Sequence, residues 1–254
     1  MKQFAFIGLG PFALSMLERV AEVTDQIVVL DDSTTRIEHI KELVSAAYSI
    51  NLRDGESFER ILHEPVDVAI VDIVGPGELS LLAVHRLKKL GVPQIIVNSS
   101  SEEYEELLHL LGADRVVNAD REAAMRIAPL VLSSSLTNFM PIGGELVLAE
   151  VIIPEYLLGK TVVETDLRRT RRVNVVAVKY GTELATQGEQ AVFHDLDIQY
   201  RFKPGDVVLV TGKESDVFRF AGIAQTAEHE QKKTNITSFF KTMFNRRKPN
   251  KRNI

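Results

Sequence analysis

Two glycines near the start of the chain, Gly8 and Gly10, have the spacing of a turn that binds phosphate groups. They end an apolar run at residues 4–9, and Ala13 stands where the usual fingerprint has a third glycine. Backbone without Cβ atoms approaches a phosphate closely, and a following helix directs its free N–H groups at the anion. Asp31 closes the next apolar run about 20 residues on, where it can accept hydrogen bonds from ribose hydroxyls. The pattern predicts a nucleotide site; the alternative is a fold that keeps the glycines for helix–strand packing alone.

Side chains that could carry out catalysis are harder to place. The chain contains no cysteine, which excludes disulfides, thiolate metal sites and cysteine nucleophiles. Its six histidines lack the spacing of metal ligands, and the serine runs at residues 99–101 and 133–135 lie on no glycine elbow with a histidine partner. Acid pairs such as Asp31 with Asp32 could transfer protons only inside a pocket that brings them together. We therefore predict no catalytic residue.

The elements that position the glycine turn alternate between short apolar runs and amphipathic stretches. We expect strands at residues 4–9, 27–30, 47–52, 66–73, 94–98 and 115–117, and helices at 12–23, 34–46, 55–63, 78–90, 102–111 and 122–132. Strands that alternate with helices form a parallel sheet with helices on both faces. The fold class is therefore α/β, with a doubly wound Rossmann domain at residues 1–137.

The pattern changes near Asn138, where the run Met140-Pro141-Ile142-Gly143-Gly144 interrupts the helical periodicity. We expect strands at residues 146–153, 174–179 and 206–211, and helices at 165–170 and 214–220. These elements predict a small α+β domain at residues 138–225. Residues 226–254 follow as a basic tail.

Charge is distributed unevenly along the 254 residues. The net charge is −5, but residues 226–254 hold eight Lys or Arg and two Glu, so the tail carries about +6 and the body about −11. An acidic body argues against nucleic acid as a partner. In the tail, Phe239, Phe240, Met243 and Phe244 form a helical stripe beside the basic run, which suits contact with a membrane surface; disorder is the alternative.

The sequence resembles the RCK (regulator of potassium conductance) family, specifically its Trk/Ktr-type subunits, from residue 1 to about 222. The resemblance rests on several phrases, which are Gly8-Leu9-Gly10-Pro11-Phe12, Val29-Leu30-Asp31, Asn51, Leu110-Leu111-Gly112-Ala113-Asp114-Arg115-Val116-Val117, Leu158-Gly159-Lys160-Thr161-Val162 and Lys203-Pro204-Gly205-Asp206. The Leu-Gly-Ala-Asp phrase combined with the Leu-Gly-Lys phrase is absent from ordinary dehydrogenases.

The resemblance implies an adenine nucleotide, NAD(H), ADP, ATP or AMP, in the Rossmann crevice. Gly8, Gly10 and Phe12 match the phosphate turn, Asp31 with the adjacent Asp32 the ribose acid, and Asn51 the position near the base. Asp120 matches an acid close to an intersubunit cation site, which implies a divalent metal ion there.

Two positions depart from the family pattern. Ktr-type members have Arg directly after the second glycine and Lys or Arg after the fifth strand, where this chain has Pro11 and Asn98. Both family residues resemble clamps for a terminal phosphate, since a cation paired with a phosphate oxygen forms a strong hydrogen bond. Their loss lowers the expected discrimination between ATP and ADP and favours a less charged ligand or an empty site.

The second domain resembles a module that binds cyclic di-AMP in some Ktr-type members. Val162 and Val163 match its paired aliphatic residues, Arg168 the basic residue that meets phosphate, and Asn174 the polar residue on the next strand. Four Arg within residues 168–172 are compatible with an anion site, and equally with a solvated helix end.

The resemblance as a whole implies a cytoplasmic, nucleotide-binding regulatory subunit, peripheral on the inner face of the membrane through a potassium-translocating partner. The family also implies homo-oligomers, in which dimers assemble into a tetramer or an octameric ring. Two alternatives remain open at this point. One is an NAD-dependent oxidoreductase, and the other is a nucleotide sensor for another transporter.

Overall fold

In the computed structural model, which describes residues 2–183 and 191–223, the chain divides into two units between Ala123 and Ala124. The division falls inside a helix and precedes the boundary predicted after residue 137. The tail at residues 226–254, with its predicted stripe of Phe239, Phe240, Met243 and Phe244, lies outside the described residues. No helix in the described part of the chain is long and apolar enough to cross a membrane.

Parallel pairing dominates the first unit. Its described strands are β1 (Phe4–Ile7), β2 (Ile27–Asp31), β3 (Ala46–Ser49), β4 (Val68–Val71), β5 (Gln94–Asn98) and β6 (Arg115–Val117). They form one sheet in the order β3-β2-β1-β4-β5-β6. The connecting helices are α1 (Pro11–Ala21), α2 (Thr34–Ile40), α3 (Gly55–Ile61), α4 (Glu78–Lys89) and α5 (Glu102–Leu110). The predicted doubly wound α/β fold is confirmed.

Helices cover both faces of this sheet because its central strands are apolar on both sides. Every residue of β2 and β4 is buried, as expected for parallel strands between two helical layers. One core packs α1 and α2 on the sheet through Leu17 and Ile37, and the other packs α3, α4 and α5 on the opposite face through Phe58, Leu87 and Leu108. The carboxyl ends of the strands therefore meet at a single edge.

Antiparallel pairing characterises the second unit. After α6 (Ala119–Leu132) come β7 (Leu136–Gly143), β8 (Leu146–Ile152), a 3-10 turn (Glu155–Leu157), α7 (Val162–Thr165), α8 (Leu167–Thr170), β9 (Val173–Lys179), β10 (His194–Asp195), β11 (Val207–Lys213) and α9 (Glu214–Phe220). The strand order among described residues is β10-β9-β11-β8-β7. The predicted α+β fold of the second domain is confirmed.

Several predicted element bounds were wrong. The helix predicted at 34–46 ends at Ile40, and the strand predicted at 66–73 spans only Val68–Val71. The helix predicted at 165–170 consists of two short helices separated by Asp166, whose φ of 45° breaks the first. The interruption at Pro141 lies in a strand, β7, because an edge strand tolerates a residue that cannot donate to the ladder.

Candidate functional site

The glycine turn lies where the sheet reverses its order of strands. β2 pairs with one side of β1 and β4 with the other, so the loops after β1 and β4 diverge to opposite faces. In open α/β sheets this switch point forms the crevice in which ligands bind. Gly10 caps α1 in an extended conformation (φ −66°, ψ 170°), and Pro11 begins the helix. The structure thus places the predicted turn at the switch point of the sheet.

Both glycines are required by close packing against the end of β4. Gly8 has a φ of 82°, and a Cβ atom there would lie 2.6 Å from the carbonyl oxygen of Asp72. At Gly10 a Cβ atom would lie 2.3 Å from Asp72 Oδ2 and within 2.7 Å of the other carboxylate oxygen. The glycines therefore leave room for a carboxylate of the chain itself. Their role in holding a phosphate stays a prediction.

Asp72 is the residue of this crevice that sequence reasoning missed. Its side chain is buried, with the residue 6% exposed, and its Oδ2 accepts from the Ala13 amide at 2.9 Å. Its Oδ1 accepts from Asn98 Nδ2 at 2.9 Å, and Asn98 Oδ1 accepts from the Ala119 amide at 3.3 Å. The available signal was an acid at the end of an apolar run, the same signal that identified Asp31.

Asp31 lies at the end of β2 as predicted, and its carboxylate is fully engaged by the chain. It is 1% exposed; Oδ2 accepts from the Leu9 amide at 2.6 Å, and Oδ1 from the Ser33 amide at 2.7 Å. Arg36 also contacts Oδ1, with Nε at 2.9 Å, and bridges to Asp32 at 2.9 Å. A ribose hydroxyl would have to share or displace these donors, so the ribose role of Asp31 stays a prediction. About half of the Asp32 side chain is exposed, so more of its surface than that of Asp31 is open to a ligand.

Few amide donors of the turn remain for a ligand. The amides of Gly8 and Gly10 donate to the carbonyls of Leu30 and Asp72, and those of Leu9 and Ala13 to the two buried carboxylates. Pro11 has no N–H. Among the described residues, the amide of Phe12 has no acceptor. The turn therefore offers a phosphate one clear backbone donor.

The other predicted residues of the first domain lie near the same edge of the sheet. Asn51 is exposed after β3, where its Oδ1 accepts from the Arg53 amide at 3.0 Å. Asn98 ends β5 and contacts Asp72, so its amide is already used within the crevice. Asp120 is exposed at the start of α6, and no group of three or more His, Asp or Glu in the described ranges could hold a metal ion. The cation role of Asp120 stays a prediction.

The residues predicted to bind a second ligand lie on three consecutive elements. Val162 and Val163 begin α7, Arg168 lies on α8, and Asn174 lies on β9. Val162 packs partly against the core, whereas the other three are exposed. Their role in binding cyclic di-AMP stays a prediction.

The phrases that carried the resemblance in the second domain have structural roles. Thr161 caps α7 reciprocally with Glu164, and the bonds from the Thr161 amide and Arg201 lower the pKa of Glu164. Asp206, 1% exposed, accepts from the amides of Gly181 and Lys203 and from the Tyr200 hydroxyl, each within 2.9 Å. Burial, with the bond to Asp206 adding to it, raises the pKa of Tyr200 well above its usual value. These contacts fix the start of α7 and the turn that leads into β11.

Two domain families match this chain in sequence order. The TrkA-N domain matches residues 4–119, and the TrkA-C domain matches residues 146–223. The two matches correspond to the parallel and the antiparallel sheet. Together they cover about three quarters of the chain.

Among curated proteins, the chain is similar to Ktr system potassium uptake proteins. It is 29% identical over 224 residues to Ktr protein C of Bacillus subtilis (strain 168), which covers 86% of this chain and 96% of the relative. It is 25% identical over 213 residues to Ktr protein A of Vibrio alginolyticus, covering 84% and 93%. Both relatives match almost from end to end.

Among solved structures, the chain is similar to the GsuK channel bound to NAD. The TM-score is 0.58 at 16% identity, and the match covers 89% of this chain and 40% of the channel chain. At this identity the likeness concerns the fold alone.

Proposed function

Because this chain belongs to the RCK family of Trk/Ktr-type potassium-uptake regulatory subunits, we propose that it gates a potassium-translocating membrane protein from the cytoplasmic side. The observation that carries this proposal is the order of a TrkA-N and a TrkA-C domain over residues 4–223. Relatives that match almost from end to end are potassium uptake proteins, which supports the same role. In this account the chain reaches the membrane through its partner.

The described surface supports assembly into an oligomer. Along α6, the residues from Asp120 to Ala128 are all exposed, and four large apolar side chains on the helix are more than half exposed: Met125, Ile127, Val131 and Leu132. A helix with so much exposed apolar surface gains free energy when a partner covers it. We propose that a second copy of this chain does so, as expected for a subunit that acts in dimers, tetramers or octamers.

The ligand proposed for the crevice is an adenine nucleotide. Phe12 lies in the first turn of α1, the helix end that binds phosphate in this fold, while Asp32 and Arg36 lie beside the end of β2, where the ribose sits in this fold. The GsuK channel, which shares the fold, binds NAD. A ligand that favours one conformation of the assembly shifts the equilibrium by its differential affinity for the two states.

We propose regulation without catalysis. Of the histidines in the described ranges, His39, His63 and His109 contact backbone carbonyls three or four residues away, as structural residues do. An NAD-dependent oxidoreductase would change the absorbance of the nicotinamide in the presence of a substrate. A regulatory subunit binds the nucleotide and returns it unchanged.

Growth in limiting potassium tests the proposed role. A bacterium without potassium uptake systems of its own would express a potassium-translocating membrane protein from the same genome, with or without this chain. We expect growth at low potassium to depend on both proteins, and the chain to co-purify with the membrane protein. The chain expressed alone is the control. Equal growth with and without the chain, together with no co-purification, would overturn the proposal.

A further inference from the structure

We propose that Asp72 determines which nucleotides enter the crevice, because its carboxylate is a resident anion at the start of α1. This inference rests on the proposed binding of an adenine nucleotide between the ends of β1 and β4. It concerns the charge of that ligand, and it predicts that nucleotides with a chain of phosphates bind less tightly than AMP or NAD.

The carboxylate occupies the position where a helix attracts an anion. α1 is 11 residues long, and its first turn carries positive partial charge from its free amides. Asp72 Oδ2 accepts from the Ala13 amide of that turn, and the carboxylate group occupies the space that a Cβ atom on Gly10 would take. The favourable field of the helix end is therefore already used by a charge that the chain supplies.

Acidic side chains outnumber basic ones around the turn. Asp31 and Asp72 are both buried at the ends of β2 and β4, the two strands that flank β1, and Asp32 follows Asp31. The cation bonded to this group is Arg36, whose guanidinium bridges Asp31 and Asp32. Within residues 2–183 and 191–223, this group holds three acidic side chains and one guanidinium, so it repels a further anion, and the repulsion grows with each phosphate added to the ligand.

The donors near Asp72 are also committed. Asn98 donates to Asp72 Oδ1, so the side chain that ends β5 holds the resident carboxylate. Pro11 has no backbone N–H, which leaves the Phe12 amide as the clear donor of the turn. A ligand phosphate therefore gains few hydrogen bonds to offset its repulsion by the acidic side chains. NAD is less affected than ATP, since its nicotinamide ring carries a positive charge.

Binding measured with the full chain tests this inference. Isothermal titration calorimetry with AMP, NAD, ADP and ATP, all in EDTA, would compare the wild type with Asp72→Asn. The matched control is Asp67→Asn, which removes a carboxylate at the opposite end of β4, where it accepts the Gln3 amide. We expect Asp72→Asn to raise the affinity for ATP at least ~10-fold relative to AMP, since it removes a charge a few ångström away. Asp67→Asn should leave that ratio within about twofold.

Wild-type protein provides a second measurement in case Asp72→Asn does not fold. Added salt screens charge repulsion, so the ratio of ATP to AMP affinity should rise between low and high ionic strength. ATP binding by Asp72→Asn, with no ATP binding by the wild type, also supports the inference. The inference is overturned if the wild type binds ATP as tightly as AMP and Asp72→Asn does not raise the affinity for ATP. In that case the proposed nucleotide binding still stands. If no nucleotide binds any of the proteins, the proposed ligand itself is wrong.

Discussion

Replacement of Gly10 by Ala is expected to destabilise the first unit, because the new methyl group and Asp72 cannot occupy the same space. The Cβ atom would lie 2.3, 2.5 and 2.7 Å from the three atoms of the carboxylate group, so Asp72 must move. Movement breaks its bonds to the Ala13 amide and Asn98. Loss of a helix cap costs about 1 kcal/mol, and an unsatisfied buried polar group costs about 1–3 kcal/mol more. We expect a total of about 3 kcal/mol, or a fall in Tm of roughly 10 °C.

Thermal and urea unfolding followed by circular dichroism would measure this loss. The matched control is Gly143→Ala, because a Cβ atom there meets nothing within 4 Å and the backbone has an ordinary φ. Gly10→Ala combined with Asp72→Ala should unfold no more easily than Asp72→Ala alone, since the clash is gone. If Gly10→Ala and Gly143→Ala unfold within about 0.5 kcal/mol of each other, the packing account of the glycine turn is refuted.

Three further predictions concern the second unit and α6. Asp206→Ala should destabilise the chain by about 3 kcal/mol in urea unfolding, because it removes three hydrogen bonds to a buried carboxylate, from two backbone amides and the Tyr200 hydroxyl, each worth about 1 kcal/mol. Asp195→Ala, at an exposed position, should cost less than about 0.5 kcal/mol. Burial raises the folded pKa of Tyr200 above its usual 10.0, so the stability that Tyr200 contributes is complete below pH 10.0 and is lost as the pH rises through the folded pKa. Tyr200→Phe should therefore flatten the decline in Tm above pH 10. An unchanged decline would contradict this prediction. Ile127→Asp should convert oligomers to smaller species in light scattering without lowering Tm by more than about 2 °C, and an unchanged mass would exclude α6 from the interface.

The sequence predicted where the glycine turn lies better than it predicted which side chains contact that turn. Apolar runs followed by glycine or acid showed where β1 and β2 end, and the order of strands and helices determined the doubly wound fold. The packing of both glycines depends on Asp72, which is 59 residues from its partner Ala13 in the chain. The periodicity of neighbouring residues cannot predict a contact between residues so far apart in sequence. The apolar run at residues 66–73 predicts a single strand that includes Asp72, whereas β4 ends at Val71.

In the second domain, the missed features came from tertiary context. Pro141 argues against a strand, but β7 pairs on one side only and tolerates it. Asp166 adopts a left-handed conformation that no pattern of hydrophobic residues indicates. The predicted bounds of α9, by contrast, agree with the structure, since apolar residues at helical spacing bury one face of that helix.

Potassium flux in proteoliposomes tests the central claim most directly. Vesicles would contain the partner membrane protein, with or without this chain, and each sample would receive NAD, AMP, ADP or ATP. We predict that the chain changes the flux, that at least one nucleotide alters this effect, and that the nucleotide is recovered chemically unchanged. A flux that is the same with and without the chain under every nucleotide would contradict the claim, as would consumption of the nucleotide in step with transport.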